Sequence, residues 1–132
     1  MSETTRNSKT AAQMVAEAKQ VVENLTVDQV ASEIADTEVL LVDLREPAER
    51  TEQGAIGGSV QAPRGMLEFY ADPASAYHRA EFDPARRTIL YCASGGRSAL
   101  AAQTLQQLGY NRVAHLEGGV KAWLAAGRPL ER

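Results

Sequence analysis

Along the first part of the chain, apolar residues recur at helical spacing. Met14, Val15, Ala18, Val21, Val22 and Leu25 share one face of a helix from Thr10 to about Leu25, and a stripe of that kind demands burial, either against the rest of the chain or against a second copy of it. Residues 1 to 9 ahead of it are polar and predict a disordered tail. Thr26 reads as an N-cap with Gln29 completing a capping box, and Val27, Val30, Ala31 and Ile34 line a second helix.

Beyond that point the pattern changes period. Val39-Leu40-Leu41-Val42 is a continuous apolar run ending in Asp43, as expected of a strand buried on both faces of a parallel sheet. Glu46-Pro47 starts a short helix through about Gln53, and Gly54, Gly57 and Gly58 break the chain before a brief strand near Ser59 to Ala62. Gly65 to Tyr70 predicts a helical turn or two, and the irregular stretch from Ala71 to Arg86 carries a further helix near Ser75 to Phe82. Thr88-Ile89-Leu90-Tyr91 is a second buried strand. Ala101, Leu105 and Leu108 mark a helix stopped by Gly109, Arg112 to Leu116 make another strand, and Val120 to Ala126 form a last helix holding Trp123. Strands alternating with helices across short loops mean an α/β fold with a mainly parallel sheet.

Composition narrows the function classes without choosing one. A chain of 132 residues holds one domain with a real core. The net charge of -3, with basic residues scattered, argues against a general nucleic-acid binder. A single cysteine excludes a disulfide framework, a zinc site built on cysteine pairs and a two-cysteine redox motif. No apolar run suits a signal sequence or a membrane span, so a reducing, cytoplasmic setting without membrane contact is expected.

That one cysteine sits where chemistry is easily built. Cys92 ends a strand, Ala93-Ser94-Gly95-Gly96 form a loop of small residues, and Arg97-Ser98 open a helix. Backbone N–H groups of such a turn converge on one spot, to which the helix adds its positive dipole end, so a thiolate is favoured there. Most lone cysteines are buried and inert. An inert strand-end cysteine gives no reason for two glycines and an arginine directly after it, whereas an anion cradle needs both open amides and a guanidinium fork.

The chain resembles the single-domain rhodaneses, a sulfurtransferase family. The resemblance lies in Leu41-Val42-Asp43-Leu44-Arg45-Glu46 with Glu49, the segment Gly54 to Val60, Tyr91-Cys92-Ala93-Ser94-Gly95-Gly96-Arg97-Ser98, and Leu116-Glu117-Gly118-Gly119 followed by Trp123. Any one of these is weak; the ordered set, from about residue 26 to the C-terminus, is strong. It implies a rhodanese-like domain over residues 26–132, with residues 1–25 as a tail and accessory helix. It also implies a central five-stranded, mainly parallel sheet flanked by helices on both faces, with the catalytic cysteine starting the loop after the fourth strand. One departure is visible: such proteins usually carry His-Ile-Pro where this chain has Ala55-Ile56-Gly57. Its effect is expected to be on packing.

The implied activity is two-step sulfur transfer. A small sulfur-containing anion such as thiosulfate loads Cys92, and cyanide or a thiol unloads the persulfide, with no cofactor or metal. The loop Ala93, Ser94, Gly95, Gly96, Arg97 and Ser98 is the expected substrate-binding element. Arg97 is the first choice for docking an anionic donor, against the plainer role of a salt bridge ordering the helix start; Arg64 is a weaker second. Asp43 and Arg45 are expected to fix loops, Glu68 and Glu117 to lie at the surface, and His115 to be a satisfied core histidine; His78 carries no signal. Without a Cys/His pair, activation of the thiol falls to the loop and the dipole. Two rival classes remain. A cysteine phosphatase or arsenate reductase needs five residues between Cys and Arg to ring a tetrahedral oxyanion, and four intervene here. A non-catalytic interaction module would have no use for the intact Cys92 loop.

Overall fold

The computed structural model describes residues 8–132, so most of the expected polar tail lies outside the described residues. Helix α1 (Ala11–Val21) begins at Thr10, whose hydroxyl accepts from the Gln13 N–H while the Gln13 side chain returns a bond to the Thr10 N–H. It ends a turn earlier than its apolar stripe suggests. The Asn24 side chain donates to the carbonyls of Lys19 and Val22 at 2.9 and 3.1 Å, capping the helix end, and Glu23–Leu25 leaves as a strand, β1. Helix α2 (Val27–Glu33) follows with the expected Thr26–Gln29 capping box.

The remaining elements are β2 (Leu40–Asp43), α3 (Pro47–Gln53), β3 (Val60–Gln61), a 3-10 turn (Arg64–Met66) running into α4 (Leu67–Ala71), β4 (Thr88–Tyr91), α5 (Gly96–Gln107), β5 (Val113–Leu116) and α6 (Gly119–Ala125). No helix forms between Ser75 and Phe82. Asp72 and Ser75 instead accept from the N–H groups of Ala74 and Tyr77, and these local side-chain turns displace the helical hydrogen bonds.

The five strands pair in the order β1-β5-β4-β2-β3, every pair parallel. Alternation along the strands divides the core. Val42, Leu90 and Val113 face the α5 side together with Leu105 and Tyr110, while Leu41, Ile89, Ala114 and Leu116 face the side of α2 and α6 with Val30 and Trp123. Parallel pairing sends the C-terminal ends of β2, β4 and β5 to one edge of the sheet, the edge where open α/β sheets build their sites.

Helix α1 lies on α5, with Ala18 fully buried and Val15 reaching the start of α5 at Gly96. Its stripe is therefore covered in part by its own domain, leaving Met14 and Val21 about half exposed at 49% and 55%. At the position of the departure, Ala55 and Glu131 exchange both backbone hydrogen bonds at 2.7 Å, so the C-terminal segment is docked beside the glycine-rich loop.

Candidate active site

Cys92 follows the last residue of β4 and forms the floor of the loop that leads into α5. Its sulfur accepts from the Gly95 N–H at 3.2 Å and the Ser98 N–H at 3.4 Å, and lies 3.6 Å from the Ser98 hydroxyl. Cys92 itself is 1% exposed, whereas Ala93, Ser94, Gly96 and Arg97 reach solvent around it. The loop can take this shape because Gly95 has φ +101°, a left-handed backbone that side chains disfavour, and a Cβ there would sit 3.1 Å from the Gly118 nitrogen.

The loop's carbonyls are drawn the other way. The N–H groups of Val120 and Lys121, in the first turn of α6 where no intrahelical partner exists, donate to the carbonyls of Cys92 and Ala93 at 2.9 and 3.0 Å. These bonds hold the first two carbonyls of the loop to α6, and the Gly95 and Ser98 N–H groups farther along are the donors to the sulfur. Gly119 is required for the approach: its φ is +58°, and a Cβ would run into the Cys92 carbonyl oxygen and lie 2.7 Å from the Ala93 carbonyl carbon. The Leu116-Glu117-Gly118-Gly119 motif thus shapes the cysteine loop from below, a function that the sequence, read as a simple turn, does not reveal.

Arg97 stands at the rim, and both its terminal nitrogens bind Glu49, at 2.8 and 3.0 Å. The guanidinium bonds hold the Glu49 carboxyl at about 2, with a smaller contribution from the Glu46 N–H, against the opposing effect of burial. Arg97 in turn is held protonated first by Glu49 and to a lesser degree by negative charge at Cys92 and Glu46. This is the helix-ordering salt bridge weighed above. Arg64 is elsewhere: it pairs with Glu68 at 2.8 Å and with the Thr104 hydroxyl at 3.3 Å, two turns along α5 from the cysteine loop.

Asp43 and Arg45 fix loops as expected. Both are fully buried, with Arg45 Nε and Nη2 on the two Asp43 oxygens at 3.0 and 2.8 Å, Nη2 also on the Gly54 carbonyl and Nη1 on Gln53. Arg50 joins Asp43 at 3.0 Å and ties it to the Ser59 carbonyl. Tyr91, on β4, accepts from the Ile56 N–H and bonds the Ser59 hydroxyl. The segment from Gly54 to Ser59 is thereby locked beside the cysteine strand. Glu68 and Glu117 lie at the surface, bound to Arg64 and Lys19.

His115 is the satisfied core histidine expected, with partners that the sequence does not show. It is buried, as a core histidine should be, and it faces the α5 side of β5 and bonds the Ser98 hydroxyl at 2.8 Å through Nδ1 and Asn24 Oδ1 at 2.7 Å through Nε2. Ser98 therefore stands between Cys92 and a histidine, and the absence of a Cys/His pair holds only for direct contact. Burial pushes His115 down to about 4, with the Glu117 carboxylate opposing and Lys19 assisting. Alternation in β5 was the available signal: His115 shares the face of Val113, and its register partners are Leu90 and Asn24. Among the described residues, no group of three or more His, Cys, Asp or Glu side chains is gathered for a metal ion, and no helix is long and apolar enough to cross a membrane.

The rhodanese-like domain model matches residues 26–126. A sulfurtransferase of Allochromatium vinosum is 37% identical over 111 residues, which span 83% of this chain and 95% of that relative. Among solved structures, a protein of unknown function from Rhodopseudomonas palustris, described as a possible tyrosine phosphatase, superposes with a TM-score of 0.88 at 41% identity, covering 94% of this chain and 96% of that one. The polysulfide-sulfur transferase homodimer of Wolinella succinogenes superposes with a TM-score of 0.72 at 28% identity, covering 92% of this chain and 86% of that one.

Proposed function

The chain belongs to the rhodanese-like domain family, and we propose that it is a sulfurtransferase that carries a sulfane sulfur as a persulfide on Cys92. The observation that supports this most is the pair of amide hydrogens, from Gly95 and Ser98, directed at the Cys92 sulfur at the start of a twelve-residue helix. The Cys92 sulfur held there gives up its thiol proton and attacks the outer sulfur of a donor such as thiosulfate. The S–S bond of the donor breaks with its electron pair on the leaving sulfite, and the new persulfide anion keeps the same amide donors. A thiol or cyanide then removes the outer sulfur and regenerates the thiolate.

Arg97 is the cation at the mouth of this loop, and Glu49 offsets much of its charge. It attracts an anionic donor only as far as the carboxylate allows, so its larger contribution is to order the start of α5. Arg64, engaged with Glu68 and Thr104, has no part in donor binding under this reading.

The description of the Rhodopseudomonas protein favours phosphatase chemistry as the second reading. Four residues between Cys92 and Arg97 weigh against it, because the donors converge on one sulfur atom rather than ringing a tetrahedral oxyanion. Assay of thiosulfate:cyanide transfer beside p-nitrophenyl phosphate hydrolysis separates the two. Wild type is expected to turn over the first and not the second, and the nearly isosteric Cys92→Ser variant neither. Cys92-dependent phosphatase turnover without sulfur transfer would replace this reading by its rival.

A further inference from the structure

The buried polar groups behind Cys92 form a hydrogen-bonded chain whose direction is set by the backbone. Asn24 spends both amide hydrogens on the carbonyls of Lys19 and Val22, so the atom it turns to His115 is its carbonyl oxygen, Oδ1. A carbonyl only accepts, so Nε2 of His115 carries the ring hydrogen. In a neutral imidazole that leaves Nδ1 with its lone pair, 2.8 Å from Ser98 Oγ. Ser98 therefore donates to His115, and the hydroxyl lone pair that remains faces Cys92 Sγ at 3.6 Å. Each link takes its polarity from the one before it, back to two carbonyls at the end of α1.

The ring's neutrality follows from its surroundings. Its neighbours on α5 and β1, Ser98 and Asn24, are uncharged. The charged groups facing it are the Glu117 carboxylate, 3.7 Å from Nε2, and the Lys19 ammonium of α1, which pairs with that carboxylate at 2.8 Å. Full burial completes a setting in which His115 is an empty proton acceptor at neutral pH.

We propose that Ser98 and His115 serve as the base for Cys92, removing the thiol proton as the sulfur attacks. This rests on Cys92 being the sulfur-accepting nucleophile. The S–H bond breaks and its proton passes to Ser98 Oγ, while the hydroxyl's own proton passes to His115 Nδ1. The sulfur lone pair forms the bond to the donor's outer sulfur, and the donor's S–S pair leaves with sulfite. A persulfide anion and an imidazolium result, and when a thiol or cyanide removes the outer sulfur, the thiolate left at Sγ takes the proton back along the same path. Ser98 touches the reacting sulfur; His115 acts only through Ser98, as a positioning residue that also holds the proton in transit. The carbonyls that orient Asn24 belong to Lys19 and Val22, so the N-terminal segment, expected to be a mere accessory, sets the polarity of the chain.

The test is the rate of Cys92 alkylation by iodoacetamide across pH, beside thiosulfate loading read by intact mass. A free thiolate alone loses reactivity about tenfold for each pH unit of acidification once the thiol dominates. Wild type is expected to level off instead and to fall again only as His115 is protonated, near about 4. Ser98→Ala keeps the backbone N–H bond to sulfur, and His115→Asn keeps an acceptor toward Ser98 but none that takes a proton. Both should lose the plateau and fall roughly tenfold or more below wild type at its acid end, and Ser98→Thr should restore it. Absence of a plateau in wild type overturns the proposal, as do superimposable profiles for wild type and a folded Ser98→Ala or His115→Asn. Because alkylation uses no sulfur donor, failure of thiosulfate loading beside an intact plateau would count against the sulfurtransferase reading and leave the base standing.

Discussion

The Val120 N–H donates to the Cys92 carbonyl at 2.9 Å, and through that bond the first turn of α6 determines which way the cysteine loop faces. Without it, and without its neighbour from Lys121 to Ala93, two carbonyl dipoles would be free to turn toward the sulfur and oppose a thiolate. The chemistry of the loop is thus settled as much by residues 118 to 121 as by the loop's own sequence.

Gly119→Ala tests that dependence. The left-handed backbone at this position costs an alanine about 1–2 kcal/mol, and the added Cβ collides with the Cys92 carbonyl, so α6 and the loop must separate. Chemical denaturation should show the stability loss, and sulfur transfer should fall well beyond what the unfolded fraction explains. Wild-type activity in the folded variant would mean that the loop keeps its shape without α6.

The Arg97–Glu49 pair carries a pH signature. Glu49 has a folded value of about 2 against 4.5 ordinarily, so its contribution is fully present above 4.5 and disappears as pH falls toward about 2. Both side chains are roughly one-third exposed, at 37% and 30%, and screening reduces the net effect to about 1 kcal/mol. Glu49→Gln should lower stability by that amount at neutral pH, with wild type and variant converging near pH 2 in urea titrations. A gap that widens on acidification would contradict this assignment.

Asp43 is the keystone of the buried charge cluster beside the site, bound by Arg45 and Arg50. Asp43→Ala strands a guanidinium that is fully buried, and the expected loss is about 3–5 kcal/mol. Denaturation midpoints measure it. A loss below about 1 kcal/mol would mean that Arg45 finds compensation from Gln53 and Gly54 alone.

Much of this architecture was legible in local pattern. The apolar runs at Val39–Val42 and Thr88–Tyr91, the Thr26 capping box and the glycine stop at Gly109 are each determined by residues close in sequence, and each forms as read, the first displaced by one residue to Leu40–Asp43. Residues 23–25 escaped because a three-residue edge strand has no periodicity of its own; it exists through pairing with β5, some 90 residues away. Helical propensity near Ser75 lost to side-chain turns at Asp72 and Ser75. At the site, Cys92 and its loop were visible as one contiguous motif. Asn24, Ser98 and His115 come together only when β1, β5 and α5 are packed, and Glu49 reaches Arg97 across 48 residues of sequence. Contacts of that range have no local signal beyond the face on which a residue falls.

The central claim is that Cys92 carries sulfur, and intact-protein mass spectrometry after incubation with thiosulfate tests it most directly. The protein has one cysteine, so the expected result is a single added sulfur. It should be removed by cyanide, absent in Cys92→Ser, and blocked by prior alkylation of the wild type. An unmodified mass at saturating donor, in folded protein whose Cys92 still alkylates, or an added sulfur that persists in Cys92→Ser, would contradict the account.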